Sequence, residues 1–209
     1  MNFRRLAYAV SRLVTLLFRR RYRVPVGQIP LVRVDVPVTG LPPHLKDFTI
    51  GVMSDLHLGA LVDPEYIRAA AERLAAERPD LIVVAGDFVS EAAAVPLLAE
   101  VLAPVRDAWG VLCHEPDFAD RVAERHRVAV QISGHSHGGQ VRLPFIGPPL
   151  LPPLGRRYVA GLYRAPFCQV YTSRGLGVAH LPLRFLCPPE ISVLRMAEGM
   201  ECPASPEGR

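Results

Sequence analysis

The 209-residue chain lacks several features that mark common protein classes. Its four cysteines form no CxxC pair, which excludes a zinc ribbon and favours inert thiols in a reducing compartment. The apolar run at residues 6–18 is interrupted by Arg12 and is shorter than the ~20 residues of a membrane-spanning helix. No internal repeat is present, and no asparagine occurs after Asn2. With 50% hydrophobic and 21% charged residues, the composition is that of a folded globular domain.

Acidic residues are absent from the first 34 positions, which carry eight arginines. The whole chain has a formal charge of +4, so the other 175 residues sum to −4. A nucleic-acid-binding domain carries its basic surface on the fold itself, and this distribution therefore argues against nucleic acid as a partner. The eight arginines are Arg4, Arg5, Arg12, Arg19, Arg20, Arg21, Arg23 and Arg33.

Residues 1–40 are predicted to form a basic, amphipathic N-terminal segment. They do not resemble a cleaved signal, because Arg12 breaks the apolar stretch and no small-residue cleavage site follows. A short helix flanked by arginines suits an anionic membrane surface. We therefore expect a cytoplasmic protein whose residues 1–23 contact the inner face of the membrane. The alternative is a basic tail that contacts nothing.

The rest of the chain predicts strands alternating with helices. Apolar clusters of β-forming residues indicate buried strands, and Asp63 followed by Pro64 predicts the start of a helix. We assign residues 47–197 to one domain, residues 198–209 to a disordered tail and the proline-rich residues 143–155 to a rigid loop. The predicted strands are 48–53, 81–85, 128–132, 169–172 and 191–196. The predicted helices are 64–78 and 91–108, with a kink or an earlier end expected in the second near Pro104.

Metal-binding side chains follow three of the predicted strands. Asp55 and His57 are two residues apart, so in an extended segment both side chains point the same way. Asp87 follows the second strand in a Gly-Asp pair, and His135 and His137 follow the third in the motif GHSHGG. The ends of strands in α/β sheets are where ligand sites gather. Each motif alone is weak, but the three in this order predict a metal site.

These motifs resemble those of the calcineurin-like metallophosphoesterases, and within them the bacterial branch that includes membrane-associated phosphodiesterases. The matching stretches are SDLHLG, VVAGDFV, HEPDFAD, SGHSHGGQVRLP and SRGLGVAHLPLRFLCPPEI, over about residues 48–196. The resemblance implies a four-layer α-β-β-α sandwich and metal-dependent hydrolysis of phosphoesters at a dinuclear site. Such a site activates water, so no side-chain nucleophile is needed. Ser136 lacks the surroundings of a nucleophile.

Specific ligands follow from the resemblance. The first ion is expected on Asp55, His57 and His137, with Asp87 bridging to a second ion. His114 and His135 are expected to hold the second ion, and Asp87 and His135 are the predicted catalytic residues. The mixed oxygen and nitrogen set suits Mn, Fe or Zn. The histidines without ligand-like surroundings are His44, His126 and His180.

One motif of the family is missing from this chain. Relatives carry Gly-Asn-His followed by an acid between the Gly-Asp strand and the strand before His114, and its asparagine binds the second ion. Here Trp109 runs through three residues directly into Cys113 and His114. The second ion should therefore bind more weakly, a general acid worth ~10²–10⁴-fold in rate is lost, and the fold should lack a strand and a helix. Glu115 or Asp117 would be the nearest acids to fill the vacant position.

Three interpretations of the function remain open from the sequence. The first is a working phosphodiesterase or phosphomonoesterase, for which the retained ligands argue. The second is a catalytically impaired, metal-binding remnant of the family, for which the missing motif argues. The third is a membrane-surface interaction protein with structural metals. For an active enzyme, the branch resemblance and the basic N-terminus suggest a membrane-derived, lipid-linked phosphodiester as substrate.

Overall fold

The computed structural model describes residues 21–90, 92–105, 114–120, 129–165 and 168–199. Three features expected from the sequence lie outside these residues: the amphipathic helix near the N-terminus, the junction at 106–113 and most of the C-terminal tail. The described elements are β1 (Leu31–Val38), β2 (Thr49–Ser54), α1 (Pro64–Ala76), β3 (Leu81–Ala85), α2 (Val95–Val101), β4 (Val130–Ser133), β5 (Gly161–Arg164), β6 (Gln169–Thr172) and β7 (Ile191–Glu198).

The strands form two mixed sheets. The first has the order β1-β7-β2-β3, in which β1 pairs with β7 and β2 with β3 in parallel, while β2 and β7 are antiparallel. The second has the order β4-β6-β5, with β4 and β6 parallel and β5 antiparallel to β6. The expected α/β fold is confirmed at this level.

Helix α1 covers one face of the first sheet. The Asp63 side chain accepts a hydrogen bond from the Glu65 N–H, and Pro64 occupies the first turn, as the sequence predicts. The apolar positions recur at helical spacing, so a single stripe faces the sheet. The buried residues of this stripe are Tyr66, Ile67, Ala70, Ala71 and Leu74.

The second sheet packs on the opposite face of the first. Val36 of β1, Val52 of β2 and Leu194 of β7 meet Ile132 and Tyr171 of the second sheet in one buried cluster. The described residues thus give three layers: helix, sheet and sheet. The fourth layer, a helix outside the second sheet, stays a prediction, as does the loss of a strand and a helix.

The sequence located most of the strands and missed two. Strands β3 and β6 have the predicted bounds, and β2, β4 and β7 differ from theirs by one or two residues at one or both ends. Strand β5 was not predicted. Nor was β1, which lies inside the predicted N-terminal segment but pairs along its full length with β7. Pro37 obscures β1 in the sequence, yet it is tolerated because β1 is an edge strand.

Among the described residues 92–105, the predicted helix at 91–108 is only partly α-helical. An α-helix spans Val95–Val101, between short 3-10 turns at Ala92–Ala94 and Ala103–Val105. Among the described residues, none of the helices has the length and apolar character needed to span a bilayer.

Candidate metal centre

The loops after β2 and β3 run side by side. The His57 N–H donates to the Asp87 carbonyl at 2.8 Å and the Leu58 N–H to the Phe88 carbonyl at 3.0 Å, so the parallel pairing continues beyond the strands. This backbone pairing holds the Asp87 and His57 side chains together, with His57 Nε2 lying 3.3 Å from Asp87 Oδ2.

The loop after β4 of the second sheet places His135 and His137 beside the loops after β2 and β3. The His135 N–H donates to Asp55 Oδ1 at 2.8 Å, which joins the loop after β4 to the loop after β2. Between the histidines, the Ser136 hydroxyl donates to the Val159 carbonyl and accepts from the Gly138 N–H at 3.1 Å. The serine therefore shapes the turn, in agreement with the prediction that it is not a nucleophile.

Four of the six expected ligands form one compact group. One ligand atom from each of Asp55, His57, Asp87 and His137 lies within 4.8 Å of the others. His57 Nε2 and His137 Nε2 are 3.0 Å apart, and His137 Nε2 lies 3.6 Å from Asp55 Oδ1. Asp55 and His137 are buried while Asp87 is exposed, so the group is closed at its base and open to solvent on one side.

His114 and His135 lie beside this group. His114 Nε2 is 3.4 Å from Asp87 Oδ2 and 3.8 Å from Asp55 Oδ1. The two rings pack edge to face with their centroids 5.0 Å apart. The structure therefore brings all six residues to one edge of the two sheets, with Asp87 between His57 and His114.

The backbone is held in an unusual conformation at most of these residues. A positive φ is uncommon outside glycine, and such residues cluster at functional sites because the surrounding structure must hold them. The loops after β2, β3 and β4 all turn sharply in this way. The candidate ligands with positive φ are Asp55 (50°), His57 (48°), Asp87 (43°), His135 (68°) and His137 (52°).

Burial and neighbouring ionisable groups shift the pKa values of the site residues. Burial raises the pKa of Asp55, against the attraction of His114. His114 and His57 together hold the pKa of Asp87 far below its usual range. Burial, and then the neighbouring His57, lowers the pKa of His137 well below its usual range, so this imidazole is neutral. A neutral imidazole beside an ionised carboxylate is the state that binds a metal ion.

The donor set fits a divalent cation. Asp55 Oδ2 and both ring nitrogens of His114 are buried and have no hydrogen-bond partner among the described residues, although buried polar atoms are normally paired. The 3.0 Å separation of His57 Nε2 and His137 Nε2 also suits two nitrogens that each lie ~2.0–2.1 Å from one ion. A cation would satisfy these atoms together.

Neighbouring groups orient two of the imidazoles. His57 Nδ1 lies 3.0 Å from the Ser90 hydroxyl, which leaves His57 Nε2 facing the group. His135 Nε2 lies 2.8 Å from the Pro153 carbonyl, an acceptor only, so Nε2 carries the proton and Nδ1 keeps the free lone pair. Such outer partners fix which nitrogen can bind metal.

Sequence reasoning missed several supporting residues. Ser90 and Pro153 orient the imidazoles just described, and Arg184 donates to the backbone carbonyls of Arg174 (2.7 Å) and Gly177 (2.8 Å) beneath His137. Arg184 lies within one of the stretches that resemble the family, but nothing in its local pattern marks it.

The structure excludes one acid considered for the vacant ligand position. The Asp117 carboxylate accepts hydrogen bonds from three consecutive backbone N–H groups, those of Arg156, Arg157 and Tyr158, at 2.9–3.2 Å. Its oxygens are thereby occupied by the loop that follows residue 155. Asp117 is therefore a structural residue.

Curated proteins similar to this chain are metallophosphoesterases. The chain is 48% identical over 86 residues to the uncharacterised metallophosphoesterase YkuE of Bacillus subtilis, covering 41% of this chain and 30% of that protein. It is 40% identical over 86 residues to the phosphodiesterase YaeI of Escherichia coli (41% and 31%). It is 42% identical over 87 residues to an uncharacterised metallophosphoesterase of Helicobacter pylori (41% and 22%).

Over 41% of its length the chain is therefore similar to members of the metallophosphoesterase superfamily. Its match spans less than a third of the length of each of these relatives. No family model matches the chain, and no solved structure is significantly similar to it. The narrower assignment, to a branch of membrane-associated phosphodiesterases, stays a prediction.

Proposed function

We propose that this protein is a metal-dependent phosphoester hydrolase, and that phosphodiesters are its substrates. The observation that carries the proposal is the convergence of Asp55, His57, Asp87 and His137, with ligand atoms within 4.8 Å of one another. The names of the similar proteins support the reaction class. The solvent-exposed side of the group, at Asp87, is where a phosphate would approach.

The residues of the metal centre have different roles in the proposed reaction. When bound, divalent ions supply an activated water and offset the charge on the phosphate oxygens. Buried Asp55 and neutral His137 form the base of the site, and Ser90 holds His57 with Nε2 toward it. Asp87 lies 3.3 Å from His57 and 3.4 Å from His114, so it is the residue suited to bridge two ions.

A second, weaker ion is part of the proposal. His114 and His135, with Asp87, would hold it, and His135 would present Nδ1 because its Nε2 donates to Pro153. The chain has no asparagine after Asn2 to complete this set. His135 is also the imidazole proposed to act in catalysis.

The finer features of the proposal concern metal, substrate and location. Oxygen and nitrogen ligands together suit Mn, Fe or Zn. A lipid-linked phosphodiester is the proposed substrate, and the arginines of residues 1–23 would hold a cytoplasmic protein at an anionic membrane. A four-layer sandwich, formed by residues 47–197 together with β1, is the proposed complete architecture.

The decisive experiment is Mn²⁺-dependent hydrolysis of bis(p-nitrophenyl) phosphate by the purified chain. Asp87→Asn removes the charge and keeps the shape, and we expect it to abolish the activity. Asp35→Asn is the matched control, because Asp35 is an exposed carboxylate of β1 that pairs with Arg195 away from the site. Activity in both variants would contradict the proposal.

The second candidate function is a metal-binding remnant without turnover. The missing Gly-Asn-His motif favours it, because the general acid and one ligand of the second ion are lost. Bound metal is therefore measured on the same samples. Wild-type protein that binds Mn²⁺ through Asp87 but hydrolyses neither a phosphodiester nor a phosphomonoester would support the remnant.

A further inference from the structure

Two neighbouring loops expose large apolar side chains beside the metal centre. We call them the apolar face. Phe145 is fully exposed, and Leu150 and Ile146 are 81% and 73% exposed. Large apolar side chains exposed together on neighbouring loops favour an interaction site. The face consists of Phe145, Ile146, Leu150, Leu183, Phe185 and Leu186.

Backbone hydrogen bonds hold the two loops together. The Arg142 N–H donates to the Phe185 carbonyl at 2.9 Å, and the Phe185 N–H donates to the Gln140 carbonyl at 3.0 Å. Leu143 and Gly147 exchange hydrogen bonds of 2.8 and 2.9 Å, which closes the turn that carries Phe145. The backbone of the expected rigid loop at 143–155 is thus held by hydrogen bonds. Its apolar side chains can be contacted without first ordering that backbone.

The face is tied to the metal centre. Gln140, three residues after His137, joins the loops by hydrogen bonds to the backbone of Ala179 and Leu181. At the other end of the projection, the Pro153 carbonyl accepts from His135 Nε2. The two loops that carry the face are therefore anchored to the segment that holds His135 and His137.

The stretch of chain that carries the face contains basic residues and no acidic ones. Residues 138–189 contain six arginines and no aspartate or glutamate. Arg142 and Arg156 have no carboxylate partner among the described residues, whereas Arg157 pairs with Asp120. Exposed apolar side chains on loops that also carry unpaired arginines complement an anionic lipid surface. The apolar side chains enter the acyl boundary and the arginines meet the head groups.

The same charges disfavour two other occupants. Residues 1–20 of this chain are apolar in part, but they carry five arginines and no acid, so they would be repelled. A second copy of the face would bring cations against cations in the same way.

We propose that the apolar face docks on an anionic lipid surface and holds the open side of the metal centre next to it. This contact differs from the one expected of residues 1–23 and does not depend on hydrolysis. A substrate embedded in the bilayer would be presented to the site without leaving it.

Vesicle flotation of the full chain, without metal or substrate, tests the docking. We expect the protein to float with phosphatidylcholine vesicles that contain phosphatidylglycerol and much less with phosphatidylcholine alone. The variant Phe145→Ser/Ile146→Ser/Leu150→Ser should bind at least about tenfold more weakly, since interfacial binding scales with buried apolar area. Leu97→Ser in α2 is the matched control, because Leu97 is exposed but lies outside the face.

Three results would overturn the proposal. Flotation of the triple variant equal to that of wild type would mean that the N-terminal segment alone binds lipid. Absence of wild-type flotation would remove lipid docking altogether. A wild-type dimer that the triple variant dissociates would make the face a protein interface.

A single substitution gives a second measurement if the triple variant does not fold. Leu150→Trp should show quenching by brominated lipid beyond that of wild type, which contains only Trp109. Equal quenching of the two proteins would mean that residue 150 does not enter the bilayer.

Discussion

Asp55 is the most enclosed residue of the metal centre. Its side chain is fully buried, with one oxygen bound to the His135 N–H and the other unpaired among the described residues. Glycines surround it: a Cβ at Gly134 would lie 2.3 Å from Asp55 Oδ2, and one at Gly175 would lie 2.7 Å from it. The space around this carboxylate thus exists only because side chains are missing there.

The first prediction concerns Gly175. Gly175→Ala places a Cβ against Asp55 at a residue whose φ is +73°, so the carboxylate must move. We expect a loss of about 1–3 kcal/mol in the free energy of unfolding, the usual cost of overpacking. Mn²⁺ affinity should also fall. Urea denaturation and metal titration measure both effects.

Gly27→Ala is the control for this variant. No atom lies within 4 Å of a Cβ placed there, and its φ is not in the left-handed region. The free energy of unfolding of Gly27→Ala should stay close to that of wild type. A Gly175→Ala protein that behaved like it would contradict the account of Asp55.

The second prediction concerns Arg184. Its guanidinium donates to the carbonyls of Gly177 and Arg174 at once, a fork that a lysine ammonium cannot reproduce. We expect Arg184→Lys to cost about 1–3 kcal/mol in the free energy of unfolding, because a part-buried carbonyl loses its donor. Arg142→Lys, at an arginine without an ion-pair partner among the described residues, should cost little in the same chemical denaturation.

Helix α1 is well predicted from local sequence, although it ends two residues before the predicted bound. Its start is set by Asp63 and Pro64, and its inward stripe by the 3.6-residue period. The conformation of the loops after β2 and β3 is not set by local sequence. Their direction is set by backbone pairing between them, such as the Ser90 N–H donating to the Leu58 carbonyl at 2.8 Å.

The third prediction tests the helix cap. Asp63→Ala removes the acceptor for the Glu65 N–H and should lower the free energy of unfolding by about 1 kcal/mol. Asp63→Asn keeps an acceptor at the same place and should recover most of that loss. Thermal denaturation compares the three proteins. Equal destabilisation by both variants would point instead to the ion pair with Arg23, at 3.7 Å.

At the scale of the whole molecule, two sheets supply one site. Asp55, His57 and Asp87 follow strands of the first sheet, while His135 and His137 follow β4 of the second. The loop after β6 joins them, since the Gly177 N–H donates to the Asp55 carbonyl at 2.8 Å. A cation at this junction would bind only the folded chain, so metal and stability must be linked.

The fourth prediction follows from this linkage. Mn²⁺ at about 100 times its dissociation constant should stabilise the chain by about 2.7 kcal/mol, which raises Tm by roughly 5–10 °C for a domain of this size. Excess EDTA should reverse the shift. Scanning calorimetry with and without the ion measures it, and an equal shift in Asp87→Asn would show that the ion binds elsewhere.

The fifth prediction separates the two ions. His114→Ala should remove the weaker binding step in a Mn²⁺ titration and leave the tighter one, because His114 lies outside the compact group of four. His57→Ala should remove the tighter step. Isothermal titration calorimetry distinguishes the steps, and loss of both in His114→Ala would mean that the six residues hold one ion together.

Local sequence determined the parts of this protein that depend on near neighbours. The spacing of apolar residues predicted β3 and α1, and Asp63 predicted the helix start. The short motifs, with the resemblance they carry, predicted six residues that the fold brings to one edge of the two sheets. These features are encoded within a few residues, because strand and helix periods and turn chemistry act at that range.

The tertiary structure alone decided what depends on distant partners. Asp117 looked like a spare ligand until the backbone of residues 156–158 was found to occupy it. Strand β1 is defined by its partner β7, some 160 positions away. Ser90, Pro153 and Arg184 support the imidazoles only because folding brings them there. These roles depend on burial and on pairing between residues far apart in the chain. Neither produces a pattern in the local sequence.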